Sequence, residues 1–406
     1  RWKFYDIRDT RTLFDLGIDP KMPKADKHHA LHDAFRQVVG VQNVMRELAK
    51  TGVPVKNTVK LNSSSIKNIS ADYDIVRKMR ASILVLGPLL SRFGYSKISL
   101  PGGCAIGTRP IDIHLEALSK LGANFKIENG FVIGEVKNKL KGNKIKLPFP
   151  SVGATENILM ASVLAEGETV IMQAAREPEI EDLGNCLKSM GAKIDGLGSN
   201  KIYVQGVEKL NQAKHKIISD RIVAGTYIIL AVMLNCNFEV KNLNTNHLLS
   251  LINILKKMGC NLEVLQKSIK IFPYEKLYSI KVITSPYPGF PTDLQAQLMA
   301  LMCIVNGNSE IKETVFENRF MHVPELNRLG AKIKSSKDKA FIKGGQTLKG
   351  AQVMASDLRA SVSLVLAALC AEGETIINRV YHLDRGYEKI EKSIGKLGPK
   401  IKRIKI

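Results

Sequence analysis

Between Leu100 and His114 the chain reads Leu-Pro-Gly-Gly-Cys-Ala-Ile-Gly-Thr-Arg-Pro-Ile-Asp-Ile-His, which gathers a thiol, a guanidinium, a carboxylate and an imidazole into one short stretch. Gly102, Gly103 and Gly107 free the backbone to bend over a ligand, while Pro101 and Pro110 stiffen its ends, a composition suited to a mobile lid. A cationic setting lowers a thiol pKa from its usual value of about 8.5. Arg109 offers such a setting, so Cys104 is expected to act as nucleophile and acid. As a residue type a free Cys is as often a small buried hydrophobe, and the Gly-Gly surroundings are what argue for the loop.

Other polar clusters lie further along. Arg80 falls in Tyr73–Ser82 at the opening of a helical pattern. Ser151-Val152-Gly153-Ala-Thr-Glu-Asn157 sets hydroxyls and backbone N–H groups at a helix start, a natural anion site. Pro286-Tyr-Pro-Gly-Phe-Pro-Thr-Asp293 forces an extended approach and then presents Asp293 at a helix N-terminus. Glu313-Thr-Val-Phe-Glu-Asn-Arg319 leads to Met321-His-Val-Pro-Glu325, and Asp357-Leu-Arg-Ala-Ser361 and Asp384-Arg-Gly-Tyr-Glu388 close the set. Taken singly, Asp293 and Asp357 read as helix caps worth about 1 kcal/mol, the arginines as solvated or paired, and His114 and His322 as structural. Taken together, Arg80, Arg319, Arg359 and Arg385 sit in polar stretches of different repeats, and arginine forks bind phosphate and carboxylate bidentately. The implied ligand is small and polyanionic.

A repeat positions these groups. Leu118-Ser-Lys-Leu-Gly-Ala-Asn-Phe-Lys-Ile127 recurs as Leu187–Asp195, Leu255–Val264, Leu326–Lys334 and Ile394–Lys402, with a fainter copy at Leu48–Val55. The punctuating glycines are Gly52, Gly122, Gly191, Gly259, Gly330 and Gly398, roughly 70 residues apart. Each is expected to end a helix in the left-handed conformation and release an Ile/Val-rich strand. A second marker, Leu164-Ala-Glu-Gly-Glu-Thr-Val-Ile171 with its counterparts at Val305–Ile311 and Ala371–Ile377, reads helix, tight turn, strand. The predicted class is α/β, built from strand-helix-strand-helix-strand-strand repeats whose first copy is truncated. Gly344-Gly345 is expected to turn a hairpin. No GxGxxG follows a strand and no GxxxxGK[ST] occurs, which leaves dinucleotide and P-loop folds without support.

A chain of 406 residues with net charge +22 suits two or three domains and an anionic partner, though charge alone does not choose one. The basic C-terminus, Lys389 to Lys405, reads as a solvated helix face and a terminal strand. Six scattered cysteines (104, 186, 236, 260, 303, 370) suggest neither a zinc site nor a disulfide framework and fit reduced, cytoplasmic thiols. No metal and no cofactor is expected, and no apolar run reaches the roughly 20 residues that span a bilayer. Arg1 rather than Met opens the chain, so the natural start is expected upstream. Residues 1–50 differ from the rest. His28-His-Ala-Leu-His-Asp33 resembles the last motif of DEDD-type 3′-to-5′ exonucleases, but the earlier carboxylates of that family are missing. One Asp does not clamp two metal ions, and nuclease activity and nucleic-acid binding are not expected.

From about Asn57 onward the motifs Met79-Arg-Ala-Ser82, Leu100–Cys104, Arg109-Pro-x-Asp-x-His114, Ser151–Thr155, Ala175-Arg-Glu-Pro-Glu-Ile180, Phe290–Gln297, Glu313–Leu326, Ala351–Ser361 and Asp384–Glu388 resemble the UDP-N-acetylglucosamine 1-carboxyvinyltransferases, enolpyruvyl transferases related to EPSP synthase. The resemblance implies a two-domain inside-out α/β barrel, with 1–50 as an exonuclease-like fragment, 51–218 as an incomplete first domain carrying the Cys loop, and 219–406 as the second. It implies transfer of the enolpyruvyl group from phosphoenolpyruvate to the 3′-hydroxyl of UDP-N-acetylglucosamine, at the start of peptidoglycan synthesis. Cys104 resembles the lid thiol that protonates the methylene and is alkylated by fosfomycin, Asp293 the base on the hydroxyl, and Arg385 a catalytic cation. Arg80, Arg109, Pro110, Ile111, Asp112, Ile113, His114, Ser151, Val152, Gly153, Val315, Arg319 and Arg359 fall on substrate-binding positions. Two departures stand out. The family's Ser-Gly-Ala-Lys-Asn-Ala segment has no counterpart before Asn57, which implies weakened activity, and its Asp-Arg-Ile-Glu appears as Asp220-Arg-Ile-Val223. The rival readings are a noncatalytic remnant that at most binds UDP-sugar, and a fused exonuclease fragment.

Overall fold

The computed structural model describes residues 2–6, 58, 60–63, 66, 70–71, 80–100 and 111–405. They fall into two compact units, one made of the described residues from 58 to 217, the other of residues 218–405 with the strand Trp2–Asp6. His28 and Asp33, with the truncated first repeat, lie outside the described residues.

In the N-terminal unit two repeats follow one another. The first runs through strand Ser70–Ala71, a 3-10 turn Arg80–Val85 leading into helix α1 (Leu86–Phe93), strand Tyr95–Ser99, helix α2 (Asp112–Lys120) and the hairpin Asn124–Glu128 and Phe131–Glu135. The second runs through Lys144–Lys146, helix α3 (Val152–Ser162), Glu168–Met172, helix α4 (Pro178–Ser189) and the hairpin Lys193–Asp195 and Lys201–Gln205. Both sheets have the same order: the repeat's first strand lies parallel to its second, and the last hairpin strand pairs antiparallel with the second and the fourth-placed strand. The C-terminal unit adds three copies around helices α5 (Arg221–Met233), α6 (Leu249–Lys257), α7 (Gln295–Ile304), α8 (Val323–Arg328), α9 (Leu358–Leu369) and α10 (Ile390–Gly395).

Helix periodicity explains the layering. Helices α3, α5, α7 and α9 are apolar nearly all round, and α7 is buried from Gln295 through Cys303. Helices α4 and α6 carry an apolar stripe and polar outer faces, so they lie against the core with one side wet. Burying a Leu or Ile side chain stabilises by about 1.5–3 kcal/mol, and the middle helices are where that term is concentrated. The repeat glycines do what their spacing predicts: Gly122, Gly191, Gly259, Gly330 and Gly398 all have φ between 92° and 114°.

Two observations depart from the sequence pattern. The strand Trp2–Asp6 takes the third place in the sheet Gln352–Met354, Thr375–Asn378, Trp2–Asp6, Ile401–Lys405, where other repeats put their own last hairpin strand. It is parallel to both neighbours, where the third-placed strands of the N-terminal unit's sheets are antiparallel to both of theirs. Gly344-Gly345 does not turn a hairpin. That turn falls between Lys332–Ser336 and Lys339–Lys343, and Gly344 is needed instead because its backbone passes against the Met302 and Val305 carbonyls.

Candidate active site

Asp293 is presented by the 3-10 turn Thr292–Leu294, which opens α7 after the proline-rich approach. Its Oδ1 accepts from Arg319 Nη2 at 2.6 Å and its Oδ2 from Arg359 Nη2 at 3.0 Å. The two guanidinium groups are 5% and 15% exposed and the carboxylate 39%, so a solvent-facing acid is held by two mostly buried cations. Burial works against the charge on Arg359, but Asp293 beside it, together with Tyr387 and Asp220, more than offsets that and holds its pKa above the ordinary range.

The surroundings fix this geometry. Gln297, one turn along α7, donates to the Asp293 carbonyl at 3.0 Å and to Thr226 Oγ1 at 3.1 Å, and Thr226 shares a 2.8 Å hydrogen bond with the Tyr387 hydroxyl. Glu313 Oε2 accepts from Thr292 Oγ1 at 2.8 Å while its Oε1 accepts from the Val315 and Phe316 N–H groups, tying the Asp293 turn to the loop that carries Val315 and Arg319. Arg319 also stacks over Phe316, 5.6 Å from the ring centre. At Gly225, on α5, a Cβ would come within 2.7 Å of Leu294, so glycine lets α5 pack against the turn beside Asp293. Asp357 caps α9 by accepting from the Arg359 and Ala360 N–H groups at 2.9 and 3.1 Å. Its capping role thus sets the first turn from which Arg359 extends. Burial pushes the His322 pKa down to about 4, so this ring is neutral at physiological pH.

Arg385 ends the 3-10 turn Val380–Arg385. Arg403, from the terminal strand, makes a fork to Asp384 at 2.9 and 2.8 Å and lies 3.5 Å from Glu391. One member of the basic C-terminus is therefore a partly buried brace for the Arg385 turn rather than a solvated charge.

In the N-terminal unit Ile111 precedes α2 and Asp112 opens it, accepting from the Ile113 N–H at 2.9 Å. Ser151 caps α3, accepting from Ala154 N at 3.4 Å. His114, buried, links the two first turns: a Cβ at Gly153 would lie 3.2 Å from its Cε1. The structure thus groups Ile111, Asp112, Ile113 and His114 with Ser151, Val152 and Gly153 in this unit. It groups Asp293 with Arg319 and Arg359 in the other. Arg80 begins its 3-10 turn, and Cys104, Arg109 and Pro110 lie outside the described residues. Sequence reasoning did not single out Asn157, Thr226, Gln297, Tyr387 or Arg403 as site residues. Polar side chains inside otherwise apolar helices were the available signal for the first three.

Among the described thiols, Cys260 and Cys303 are core residues and the others are partly buried. Cys260, Cys303 and Cys370 are pushed up to about 12 by burial, which leaves them without nucleophilic character at neutral pH. On α3, Glu156 is raised to about 8 by burial and by the neighbouring Glu179 and Glu177. An acid whose folded pKa lies above its unfolded one holds a proton that the unfolded chain has lost. Its stabilising contribution is complete below about pH 4.5 and disappears as pH rises through about 8. Glu156→Gln is therefore expected to raise Tm by a few degrees at pH 8.5 and to leave it nearly unchanged at pH 4.5, measured by calorimetry. An equal change at both values would show that no buried titration is involved.

A model of the family described as EPSP synthase (3-phosphoshikimate 1-carboxyvinyltransferase) matches residues 38–394. The chain is 51% identical over 367 residues to a UDP-N-acetylglucosamine 1-carboxyvinyltransferase of Paramagnetospirillum magneticum, covering 90% of this chain and 85% of the relative. It is 52% identical over 339 residues to one of Granulibacter bethesdensis, covering 84% and 81%. Among solved structures, the enolpyruvyl transferase NikO from Streptomyces tendae aligns with a TM-score of 0.73 at 24% identity over 82% of this chain and 80% of that one. EPSP synthase from Acinetobacter baumannii aligns at 0.60 and 21% identity over 78% and 76%. At these identities the two structures speak for the fold, which is the enolpyruvyl transferase fold that the repeats imply.

Proposed function

Because the chain belongs to the enolpyruvyl transferases of the EPSP synthase family, we propose that it moves the enolpyruvyl group of phosphoenolpyruvate onto the 3′-hydroxyl of UDP-N-acetylglucosamine and releases phosphate. The observation that carries this reading is Asp293, an accessible carboxylate with each oxygen held by a guanidinium. Such a group is oriented to take a proton from a hydroxyl beside it.

The chemistry asks for few parts. A proton adds to the methylene carbon of phosphoenolpyruvate while the hydroxyl oxygen bonds to the neighbouring carbon and gives up its own proton to a base. The resulting tetrahedral ketal then loses a methyl proton and expels phosphate, which restores the double bond. Asp293 is assigned the hydroxyl proton, and Cys104 the methylene proton by its likeness to the lid thiol. Arg385, Arg80 and Arg109 are assigned the carboxylate and phosphate charges, which fixed cations stabilise most as the tetrahedral intermediate forms. Arg319 and Arg359 orient the base. Ile111 to His114, Ser151 to Gly153 and Val315 are assigned the UDP-sugar.

The described cysteines are free and no helix among the described residues is long and apolar enough to cross a membrane. The free thiols support a reducing, cytoplasmic setting. Nucleic acid has no part in this reading. Phosphate release from phosphoenolpyruvate that requires UDP-N-acetylglucosamine, and that disappears in Cys104→Ala, is the expected result. Absence of turnover above that control would leave a noncatalytic UDP-sugar binder, and Mg²⁺-dependent trimming of single strands lost in Asp33→Ala would instead restore the nuclease reading.

A further inference from the structure

His114 is 6% exposed, and a residue outside the substrate assignments controls its ring. Asn157, on α3 and fully buried, accepts from the Gly87 N–H at 2.7 Å through Oδ1 and donates to the Ile83 carbonyl at 2.9 Å through Nδ2. These two bonds settle which end of the amide is which, since a backbone N–H only donates and a carbonyl only accepts. The same Nδ2 lies 3.0 Å from His114 Nδ1. An amide nitrogen offers no lone pair, so Nδ1 must accept and the neutral ring carries its proton on Nε2. The Cε1–Nε2 edge faces α3's first turn, where a Cβ at Gly153 would lie 3.2 Å from Cε1 and 3.5 Å from Nε2.

We propose that Asn157 is a positioning residue that holds His114 as the Nε2–H tautomer, so that the ring offers a donor to an oxygen of the UDP-sugar beside Gly153. The tautomer stands on geometry alone, while the ligand contact rests on the function proposed above. A fixed donor favours the oxygen-rich diphosphate and sugar over a ligand that presents N–H at that point, which would meet a second donor. Glycine at 153 spares the ring a close contact, because any side chain there presses on the imidazole. At Gly87 a Cβ would lie 2.7 Å from Asn157 Oδ1, so the amide is seated against bare backbone.

Long-range ¹H–¹⁵N spectra of the full chain labelled with ¹⁵N-histidine read the tautomer, with His114 assigned by the signal lost in His114→Gln. The expected result is a protonated Nε2 and an unprotonated Nδ1, with the Nε2 resonance moving as UDP-N-acetylglucosamine is titrated. A protonated or averaged Nδ1 overturns the tautomer. An Nε2 signal that ignores saturating nucleotide sugar, in protein that still releases phosphate, overturns the contact and leaves the proposed function standing. In Asn157→Asp the Nδ1 proton is expected to return, and the KM for UDP-N-acetylglucosamine to rise about tenfold while kcat and the KM for phosphoenolpyruvate change less than about twofold. A fall in kcat with that KM unchanged contradicts the proposal. Gly153→Ala, which displaces the ring with Asn157 intact, is expected to give the same selective rise in KM and decides the case if Asn157→Asp does not fold.

Discussion

Asp293→Asn is expected to lower kcat by about 10²–10⁴-fold, the usual contribution of a positioned general base, with little change in either KM. The amide has nearly the shape of the carboxylate, so its oxygen still accepts from one guanidinium. Its nitrogen, however, is a donor facing a donor, and neither end takes the hydroxyl proton at neutral pH. Losing one partner of a fully buried ion pair costs about 3–5 kcal/mol, but Asp293 is 39% exposed and water screens part of what is lost. A drop in Tm of only a few degrees should therefore accompany the large loss in rate. Stopped assays of phosphate release beside a thermal melt separate the two. A variant that keeps kcat within about tenfold while melting much lower would make Asp293 a structural anchor.

Arg359→Lys should be nearly as damaging, lowering kcat by roughly 100-fold, because charge is not what the position needs most. Arg359, its side chain 15% exposed, holds Asp293 Oδ2 through one guanidinium nitrogen, and its backbone N–H is capped by Asp357. A planar guanidinium presents its N–H groups to the carboxylate in fixed directions, whereas an ammonium on a flexible stem is a point charge that leaves the carboxylate free to turn. Arg319 would remain on Oδ1, so Asp293 would keep its charge partner but lose its fixed orientation. Steady-state kinetics with Arg359→Lys and Arg359→Ala side by side give the measurement. If Lys retains activity within about fivefold and Ala does not, simple charge neutralisation is the role.

Much of this architecture was legible because its signals are local. A helix that ends on a left-handed glycine leaves the same Leu-x-x-Leu-Gly mark each time, which is why the repeat glycines emerged from the chain and carry φ values near 100°. Asp357 was legible as a cap for the same reason, since a cap is a bond to the next turn, whereas Asp293, which read singly as a cap too, turns its oxygens to Arg319 and Arg359 instead. The roles of the arginines and of Asp293 came through the motifs of the family rather than through spacing. What stayed hidden depends on distant partners. The Asn157 bonds join residues 43, 70 and 74 positions apart, and the Thr226–Tyr387 bond joins residues 161 apart. Nothing in either neighbourhood marks such a pair. Trp2–Asp6 shows the same limit: its neighbours in the sheet come from the other end of the chain. Gly344-Gly345 failed differently, because the Gly-Gly pair that suits a tight turn also suits a close approach to another backbone, and only packing distinguishes them.

The most direct test is to identify the product. Full-length chain incubated with phosphoenolpyruvate and UDP-N-acetylglucosamine, followed by ³¹P and ¹H NMR, should give one equivalent of inorganic phosphate for each equivalent of a new vinyl ether on the sugar, with the UDP diphosphate intact. Phosphate that appears without the ether, or UDP set free from the sugar, would contradict enolpyruvyl transfer.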